Sequence, residues 1–349
     1  MSGRLAPSCL PRVAALELTR ACNHACVFCS CPWEDPASGI RRDPELSTET
    51  WRAVLDRLAA LGVTSFAFTG GEPLLRADLP ALLEHAAGLR PAASEGPPTL
   101  LAITNGRLLT PAHADLFARL GVRLAVSLPG LSSYARHTGA EGPERALEAL
   151  AAGRAAGLEV TVNVTVTRWN LAEIWETVAV GLLAGAGSVL VNRFLPGGRG
   201  LRHAAALSLD AAATREALAQ VDAALTTAAR NGHLGTEVTR CAVDPAAYRR
   251  LRVGTRCAAG TGFFVVDPGG WIRACNHSPE DLVPWSALDE LAAHPTWRRL
   301  IRADWLPAAC RGCRHAGACD GGCREAARVC CGQLDGPDPC LPPAPLPWV

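Results

Sequence analysis

Short apolar runs alternate with amphipathic segments along the first two thirds of the chain. The apolar runs are rich in Val, Leu and Ala and predict buried strands, whereas the segments between them have helical apolar spacing. The strands are predicted at residues 13–19, 63–69, 99–106, 122–128, 158–167 and 187–194. The helices are predicted at residues 47–62, 78–88, 111–121, 142–157, 170–185 and about 208–231.

Six strand–helix units joined by short turns indicate parallel strands with right-handed crossovers. The strands are nearly continuous apolar runs, which is typical of strands covered on both faces. We therefore expect an α/β fold, either an open barrel or a doubly wound sheet, with ligands at the carboxyl ends of the strands. Polar residues, glycines and a cysteine stand at or near those ends: Cys22, Gly70, Gly71, Glu72, Asn105, Ser127, Asn163 and Arg193.

The composition changes in the last third of the chain, where short elements, turns and cysteines replace the strand–helix pattern. A length of 349 residues with 49% hydrophobic composition is enough for one large core and a smaller one. We expect four regions: an N-terminal extension (1–12), a barrel (13–200), a helical linker (201–240) and a small cysteine-rich domain (241–349).

Charge and hydropathy argue against several classes of protein. The formal net charge of +1 creates no broad field for nucleic acid. No run of about 18 uncharged apolar residues is present, so no membrane span is expected. The opening MSGRLAPSCLPRVAAL has no long apolar region and no small-residue cleavage site. It does not resemble a signal peptide, and a cytoplasmic location is predicted.

Fifteen cysteines are a high count, and they lie towards the two ends of the chain. Five lie within residues 9–31, none lies between Cys31 and Cys241, and ten follow from Cys241 onward. Without a secretion signal, clustered cysteines favour metal or redox chemistry over a disulfide framework. We therefore expect two metal-rich regions that flank a metal-free middle.

Cys22, Cys26 and Cys29 form a C-x3-C-x2-C pattern in the loop after the first predicted strand. Three thiols are an odd number for structural zinc, which takes four ligands. They suit a cuboidal [4Fe–4S] cluster that keeps one iron open. The pattern, with Phe28 before its last cysteine, resembles the signature of the radical S-adenosylmethionine (SAM) enzymes. Cys31 matches no position of that signature.

A second segment, FTGGEPLL at residues 68–75, resembles the Gly-Gly-Glu-Pro motif that this family uses to hold the amino group of SAM. Glycine permits close backbone approach, and a carboxylate accepts hydrogen bonds from an ammonium group. Relatives carry an Asp and an Arg where this chain has Pro129 and Gly139, which leaves Arg136 as the nearest substitute. The resemblance implies SAM contacts by Phe28, Gly70, Gly71, Glu72, Pro73, Asn105, Ser127, Arg136, Asn163 and Arg193.

The resemblance also implies the fold and the chemistry. The fold would be a partial (β/α)6 TIM-like barrel, followed by a small iron–sulfur domain. One electron from the reduced cluster would cleave a C–S bond of SAM, giving methionine and a 5′-deoxyadenosyl radical that abstracts hydrogen from the substrate. The sequence assigns no catalytic protein residue.

The C-terminal cysteines follow a longer series, in which CRGCRHAGACDGGC covers residues 310–323. The whole series is similar to the SPASM extension, which typically binds two auxiliary [4Fe–4S] clusters. The resemblance implies an outer cluster on Cys310, Cys313, Cys319 and Cys340, and an inner cluster on Cys257, Cys275 and Cys323.

The sequence leaves the fourth ligand of the inner cluster open. Phe263 occupies the place where some relatives carry a further cysteine. Either Cys241 folds back to the inner cluster, or that cluster keeps an open iron. Cys330 or Cys331 could replace Cys340 on the outer cluster. Structural zinc ribbons are the alternative for the whole region.

The expected substrate is a ribosomally synthesised peptide, because most SPASM proteins crosslink, epimerise or oxidise such peptides. The segment at residues 193–200 is similar to that of maturases of peptide-derived cofactors, and Asn276 stands where sulfatase-maturing relatives carry an Asp. Two alternatives are the same chemistry on a small molecule, such as a tetrapyrrole side chain, and a non-enzymatic zinc or iron–sulfur scaffold.

The resemblance implies partners as well. An electron donor such as flavodoxin or ferredoxin would reduce the SAM-binding cluster. Only about a dozen residues precede the first predicted strand, so a leader-peptide-binding protein is expected to be separate. The polar loop at residues 31–45 predicts a substrate entrance lined by Trp33, Glu34, Arg41 and Arg42.

Overall fold

The six predicted strands of the barrel form close to their predicted bounds in a computed structural model, which describes residues 10–340. Residues 1–9, in the expected N-terminal extension, and residues 341–349, in the expected cysteine-rich domain, lie outside the described residues. The barrel strands are β1 (Val13–Glu17), β2 (Ser65–Thr69), β3 (Thr99–Thr104), β4 (Val122–Ser127), β5 (Val160–Val166) and β6 (Ser188–Arg193).

The predicted helices are also present, and four short helices accompany them. The longer helices are α1 (Thr48–Ala60), α2 (Leu79–Gly88), α3 (Pro111–Leu120), α5 (Glu144–Ala155), α6 (Ile174–Leu183) and α8 (Ala211–Thr227). The short helices are α4 (Tyr134–Thr138), α7 (Ala204–Leu207), α9 (Pro295–Arg302) and α10 (Arg324–Cys331). Several 3₁₀ turns are interspersed, including Pro73–Leu75 and Gly198–His203.

Local signals explain where these helices begin and end. The Ser47 side chain accepts from the backbone N–H of Thr50 at the start of α1, and Asp210 accepts from Ala213 at the start of α8. Gly121 ends α3 in the left-handed conformation. Among the helices of residues 10–340, none has the length and apolarity needed to cross a membrane.

Five further short strands were not predicted, and they extend the sheet at both edges. They are β7 (Asn231–Leu234), β8 (Leu251–Arg252), β9 (Phe263–Val266), β10 (Trp271–Arg273) and β11 (Val283–Pro284). The strand order is β11-β10-β9-β1-β2-β3-β4-β5-β6-β7-β8. Strand β9 of the cysteine-rich region pairs in parallel with β1, and β7 pairs in parallel with β6. One sheet therefore crosses the predicted boundaries between the barrel and the linker and between the linker and the cysteine-rich domain.

The barrel strands are not covered equally on their two faces. Along β5 the residues alternate strictly between buried and half-buried. The buried set packs in a continuous apolar core that includes Phe66, Leu124 and Val162 and extends to Trp297 of the cysteine-rich region. The half-buried set, including Asn163, faces the inside of the barrel. The predicted covering of both faces thus holds only in part, because the inner face lines a cavity.

Candidate active site and cysteine clusters

A cavity of about 430 Å³ lies at the carboxyl ends of the barrel strands. It brings together most of the site residues predicted from the sequence. On its wall lie Cys22, Cys26, Phe28, Cys29, Gly70, Gly71, Glu72, Asn105, Ser127, Asn163, Arg193, Cys257, Cys275 and Cys323. Residues from the first loop of the barrel and from the cysteine-rich region therefore face one space.

The first thiol set, Cys22, Cys26 and Cys29, lies in the loop after β1. The backbone N–H of Ala25 donates to the carbonyl of Thr138 at 2.9 Å, which holds the loop against α4. The N–H of Cys29 donates to the carbonyl of Cys26 at 3.1 Å. Burial raises the pKa of Cys22 and Cys26. Cys22 is exposed and Cys26 and Cys29 are half-buried, so all three thiols can be reached by a metal, which binds them as thiolates and displaces their protons.

The Gly–Gly–Glu segment packs directly on the same loop. The N–H groups of Gly71 and Glu72 donate to the carbonyls of Thr19 at 2.7 Å and Ala21 at 2.8 Å. A Cβ on Gly71 would lie 2.1 Å from the carbonyl oxygen of Ala21. Glycine is therefore required here by close backbone approach, which explains the motif in physical terms.

The Glu72 carboxylate organises the end of β3. It accepts hydrogen bonds from the Thr104 hydroxyl at 2.7 Å, from the backbone N–H of Asn105 at 2.8 Å and from that of Leu74 at 3.0 Å. Burial raises its pKa. Pro73 is buried at the start of the adjoining 3₁₀ turn and is not among the lining residues. Glu72 therefore fixes the position of Asn105 on the cavity wall.

Polar side chains from β4, β5, β6 and the segment after β7 also line the cavity. The Asn192 amide donates to the Oδ1 atom of Asn163 at 2.9 Å, and the Thr236 hydroxyl donates to the Oδ1 atom of Asn192 at 3.1 Å. Ser127 at the end of β4 lies on the same wall. These groups can orient a polar ligand inside the barrel.

His24 is a site residue that the sequence analysis did not identify, and its environment indicates that this wall of the cavity binds a ligand. It lies between Cys22 and Cys26, lines the cavity and is 8% exposed. Its Nε2 atom is buried and has no hydrogen-bond partner among residues 10–340. Burial lowers its pKa and favours the neutral ring. The wall thus carries three thiols, the close-packed glycines Gly70 and Gly71, and this unpartnered nitrogen. Such a set fits an iron–sulfur cluster with a polar cofactor beside it.

The two predicted arginine contacts are engaged elsewhere. The Arg136 guanidinium stacks over the Trp169 ring at 3.5 Å and is not among the lining residues. Arg193 reaches the cavity wall, but its Nη2 atom pairs with Asp338 at 2.5 Å and also donates to the carbonyl of Glu237 at 3.0 Å. Both arginines remain predictions as SAM contacts.

Arg199 was also missed, although it stands in the segment at residues 193–200, which reads RFLPGGRG. It pairs with Glu34, and its Nη1 atom donates to the carbonyl of Cys26 at 3.2 Å. The N–H of Gly200 donates to the carbonyl of Cys29 at 3.0 Å. A Cβ on Gly198 would lie 2.3 Å from the carbonyl oxygen of Cys31. The segment after β6 therefore closes over the first thiol set.

The predicted entrance loop is only partly placed at the cavity. Trp33 and Glu34 line it. Arg42 donates to the carbonyl of Trp33 at 2.7 Å, and the Arg41 guanidinium lies 4.4 Å from the Trp271 ring centre. The two arginines therefore hold the loop in place, and the tryptophan and the glutamate reach the inside.

The inner set, Cys257, Cys275 and Cys323, is buried on the same cavity wall. Burial raises the pKa of all three thiols, in the case of Cys257 to about 12. Two carboxyl groups, Glu237 and Glu325, lie beside them on the wall, and burial raises the pKa of each. These acids are further site residues that sequence reasoning missed.

The predicted outer set is divided in the structure. Cys310, Cys313 and Cys319 line a second, smaller cavity together with Cys241. Cys340 is not among the residues that line it. Burial, with the neighbouring thiols adding to it, raises the pKa of Cys241 and Cys310. Cys330 and Cys331 are exposed on α10.

Within residues 10–340, no three His, Cys, Asp or Glu side chains converge closely enough to hold one metal ion. A cuboidal cluster has a different requirement, because each thiolate binds a different iron. Thiols spread around a cavity are therefore compatible with clusters.

Comparison with known proteins agrees with this geometry. The model of the radical SAM superfamily matches residues 16–180. The PqqA peptide cyclase of Xanthomonas campestris pv. campestris strain B100 is 30% identical over 344 residues, covering 94% of this chain and 86% of the relative. The PqqA peptide cyclase of Gluconobacter oxydans strain 621H is 30% identical over 343 residues, covering 94% and 90%.

Solved structures share the fold at low sequence identity. Streptococcus suis SuiB bound to precursor peptide SuiA matches with a TM-score of 0.73 at 17% identity, over 95% of this chain and 75% of SuiB. The structure of anSMEcpe with bound AdoMet matches with a TM-score of 0.70 at 16% identity, over 90% and 86%. The predicted TIM-like partial barrel with a cysteine-rich C-terminal region is confirmed.

Three thiols and a Gly–Gly–Glu–Pro segment at one end of such a barrel define an enzyme that uses SAM for radical chemistry. The chain belongs to the radical SAM superfamily. The predictions of an enzyme and of SAM-cleaving radical chemistry are confirmed. Membership implies a SAM-binding [4Fe–4S] cluster and SAM itself as cofactors.

Proposed function

We propose that this enzyme modifies a ribosomally synthesised peptide and holds two auxiliary clusters besides the SAM-binding one. The observation that carries the proposal is the shared cavity, on which Cys22, Cys26 and Cys29 face the same space as Cys257, Cys275 and Cys323. A peptide side chain in that space would lie between the two thiol sets. The names of the relatives support a peptide substrate.

The residues of this chain would divide the work as follows. Cys22, Cys26 and Cys29 would hold the first cluster, which together with SAM supplies reductive C–S bond cleavage and a 5′-deoxyadenosyl radical. The segment from Gly70 to Glu72 and the end of β3 would orient SAM. Arg199 would close the loop above the cysteines and help to exclude water.

Proton transfer would fall to a carboxyl group on the opposite wall. The Glu325 carboxyl group is paired with Arg328 at 2.7 Å, so a cation already occupies it. The Glu237 side chain accepts one hydrogen bond from the backbone N–H of Ala258 at 3.2 Å and faces the cavity. Glu237 is therefore the group we assign to accept a proton that the substrate releases. Of the two hydrogens lost by the substrate, one would leave as a hydrogen atom to the 5′-deoxyadenosyl radical and the other as a proton to Glu237. The remaining electron would pass to the auxiliary cluster that Cys257, Cys275 and Cys323 would hold on the same wall.

The proposal includes two protein partners. An electron donor such as flavodoxin or ferredoxin would reduce the first cluster, and a separate protein would bind the leader of the peptide. The relatives are named as cyclases of the peptide PqqA, so an intramolecular crosslink is the first product to seek.

The test is to incubate the anaerobically reconstituted enzyme with SAM, dithionite and precursor peptides encoded beside its gene. Mass spectrometry is expected to show a peptide that has lost two hydrogens, together with 5′-deoxyadenosine. Release of 5′-deoxyadenosine with every neighbouring peptide unchanged, but with a small molecule converted, would overturn the peptide assignment.

A further inference from the structure

Four thiols surround the smaller cavity of the cysteine-rich region, and one of them comes from an unexpected segment. Cys310, Cys313 and Cys319 lie in the C-x2-C-x5-C series, whereas Cys241 lies about seventy residues earlier, just after β7. The backbone N–H of Arg240 donates to the Sγ atom of Cys319 at 3.5 Å. The turn that carries Cys241 thus touches the series directly.

The position of Cys241 is fixed by the core of the protein. Val238, Ala242 and Val243 are each 0% exposed and belong to the main apolar core. The N–H groups of Ala242 and Val243 both donate to the carbonyl of Thr239 at 3.0 Å. A turn anchored by three buried side chains holds its cysteine in one place.

The series is tied to the same part of the fold. The Thr255 hydroxyl donates to the carbonyl of Ala318 at 2.8 Å, and the N–H of Asp320 donates to the carbonyl of Thr255 at 3.1 Å. The N–H of His315 donates to the Sγ atom of Cys313 at 3.4 Å. Backbone N–H donors to sulfur are the surroundings that stabilise thiolate ligands.

Cys340 has a different set of neighbours. Its Sγ atom lies 3.1 Å from Nη1 of Arg193, 3.5 Å from the carbonyl of Leu209 and 3.7 Å from the Thr214 hydroxyl. Arg193 ends β6, Leu209 lies just before α8, and Thr214 lies in the first turn of α8. The thiol therefore fastens the end of the described chain to the barrel.

We propose that Cys241 is the fourth thiolate ligand of the cluster held by Cys310, Cys313 and Cys319, and that Cys340 docks the C-terminal segment on Arg193 instead. The inference rests on the proposed function, which supplies the auxiliary cluster itself. Four thiolates would leave this cluster no open iron, so it would have no site for direct substrate binding.

The first test compares Cys241→Ser, Cys340→Ser and Cys330→Ser after anaerobic reconstitution, with iron and acid-labile sulfide counted per chain. Cys330 is exposed and serves as the matched control. We expect Cys241→Ser to lose about four irons relative to the parent protein, and the other two variants to lose none. Loss of four irons in Cys340→Ser, with none lost in Cys241→Ser, would overturn the proposal.

A second measurement avoids variants, in case one of them does not fold. The reconstituted protein is treated with iodoacetamide before and after iron chelation, and each cysteine is followed by mass spectrometry. Cys241 is expected to be protected until chelation, whereas Cys330 reacts in both states. Equal reactivity of Cys241 in both states would contradict its role as a ligand.

The iron count of the parent protein distinguishes two claims: that auxiliary clusters are present, and that Cys241 is a ligand of one of them. About four irons per chain, or zinc in place of the remaining iron, would overturn the auxiliary clusters and this inference with them. About twelve irons in the parent and in Cys241→Ser alike would overturn the role of Cys241 alone.

Discussion

Glu17 on β1 and Arg273 on β10 form a buried ion pair across 256 residues of sequence. The guanidinium also donates to the carbonyls of Asn276 at 3.2 Å and Ser278 at 2.7 Å. The amide of Asn276 in turn donates to Glu17 at 3.0 Å. The pair therefore sets the turn that carries Cys275 relative to the first strand of the barrel.

Replacing Glu17→Gln is expected to destabilise the fold by about 3 kcal/mol, because it leaves the Arg273 guanidinium buried without this counter-charge. Urea unfolding of the apoprotein measures the change. Glu148→Gln is the control, since Glu148 forms an exposed pair with Arg145 at 2.9 Å and its loss is expected to cost less than about 0.5 kcal/mol. Equal unfolding midpoints for the two variants would contradict the role given to the buried pair.

Replacing Gly71→Ala is expected to displace the loop that carries the first thiol set. The added Cβ would meet the carbonyl oxygen of Ala21 at 2.1 Å, and overpacking of this kind costs about 1–3 kcal/mol. SAM binding, measured by calorimetry on the reconstituted enzyme, is expected to weaken at least tenfold. Gly88→Ala at the end of α2 has free space around it and is expected to leave SAM binding unchanged.

The ion pair between Arg76 and Asp78 makes the free energy of unfolding depend on pH. The Arg76 guanidinium holds the pKa of Asp78 at about 2, and it also donates to the carbonyl of Leu18 at 3.0 Å beside the site. Because the folded pKa lies below the unfolded value of about 3.9, the stabilisation is present above pH 4 and is lost as the pH falls towards 2.

The measurement for this pair is urea unfolding of the parent and Asp78→Asn across pH 6 to pH 2.5. We expect the variant to be less stable by about 1 kcal/mol at pH 6, since the pair is partly exposed to solvent. The difference is expected to shrink steadily below pH 4. A difference that stays constant over the whole range would show that the carboxylate charge plays no part.

Replacing Glu237→Gln is expected to separate SAM cleavage from product formation. The amide cannot accept the substrate proton, so modified peptide is expected to fall by about 10²-fold while 5′-deoxyadenosine is still formed. Both products are quantified in one anaerobic assay, with the exposed Glu290→Gln as control. A parallel fall in 5′-deoxyadenosine would show that Glu237 acts on SAM binding instead.

The barrel could be predicted because its signals are local. Caps such as Ser47 and Asp210 and the end glycine Gly121 mark element boundaries within a few residues of sequence. Strands β7–β11 could not be predicted in this way, since they are two to four residues long and form through distant pairing, as between Val13 and Phe263. Short segments of this kind carry no periodicity that a sequence reading can detect.

The positions of site residues could be predicted from the sequence where a motif determines them. They could not be predicted where tertiary packing determines them. Cys22 and Gly71 lie on the cavity wall as their motifs indicate. Arg136 stacks on Trp169 instead, because a flexible side chain takes the partner that the fold brings near. The place of Cys241 beside Cys319 depends on a turn anchored in the core, and cysteine spacing alone carries no sign of it.

The most direct test of the central claim is the anaerobic formation of 5′-deoxyadenosine from SAM with dithionite as reductant. We expect formation by the parent protein and by Cys330→Ser, whose thiol is exposed on α10, and none by Cys22→Ala. No 5′-deoxyadenosine from a parent protein that carries its iron, or equal formation by Cys22→Ala, would contradict radical SAM chemistry at this site.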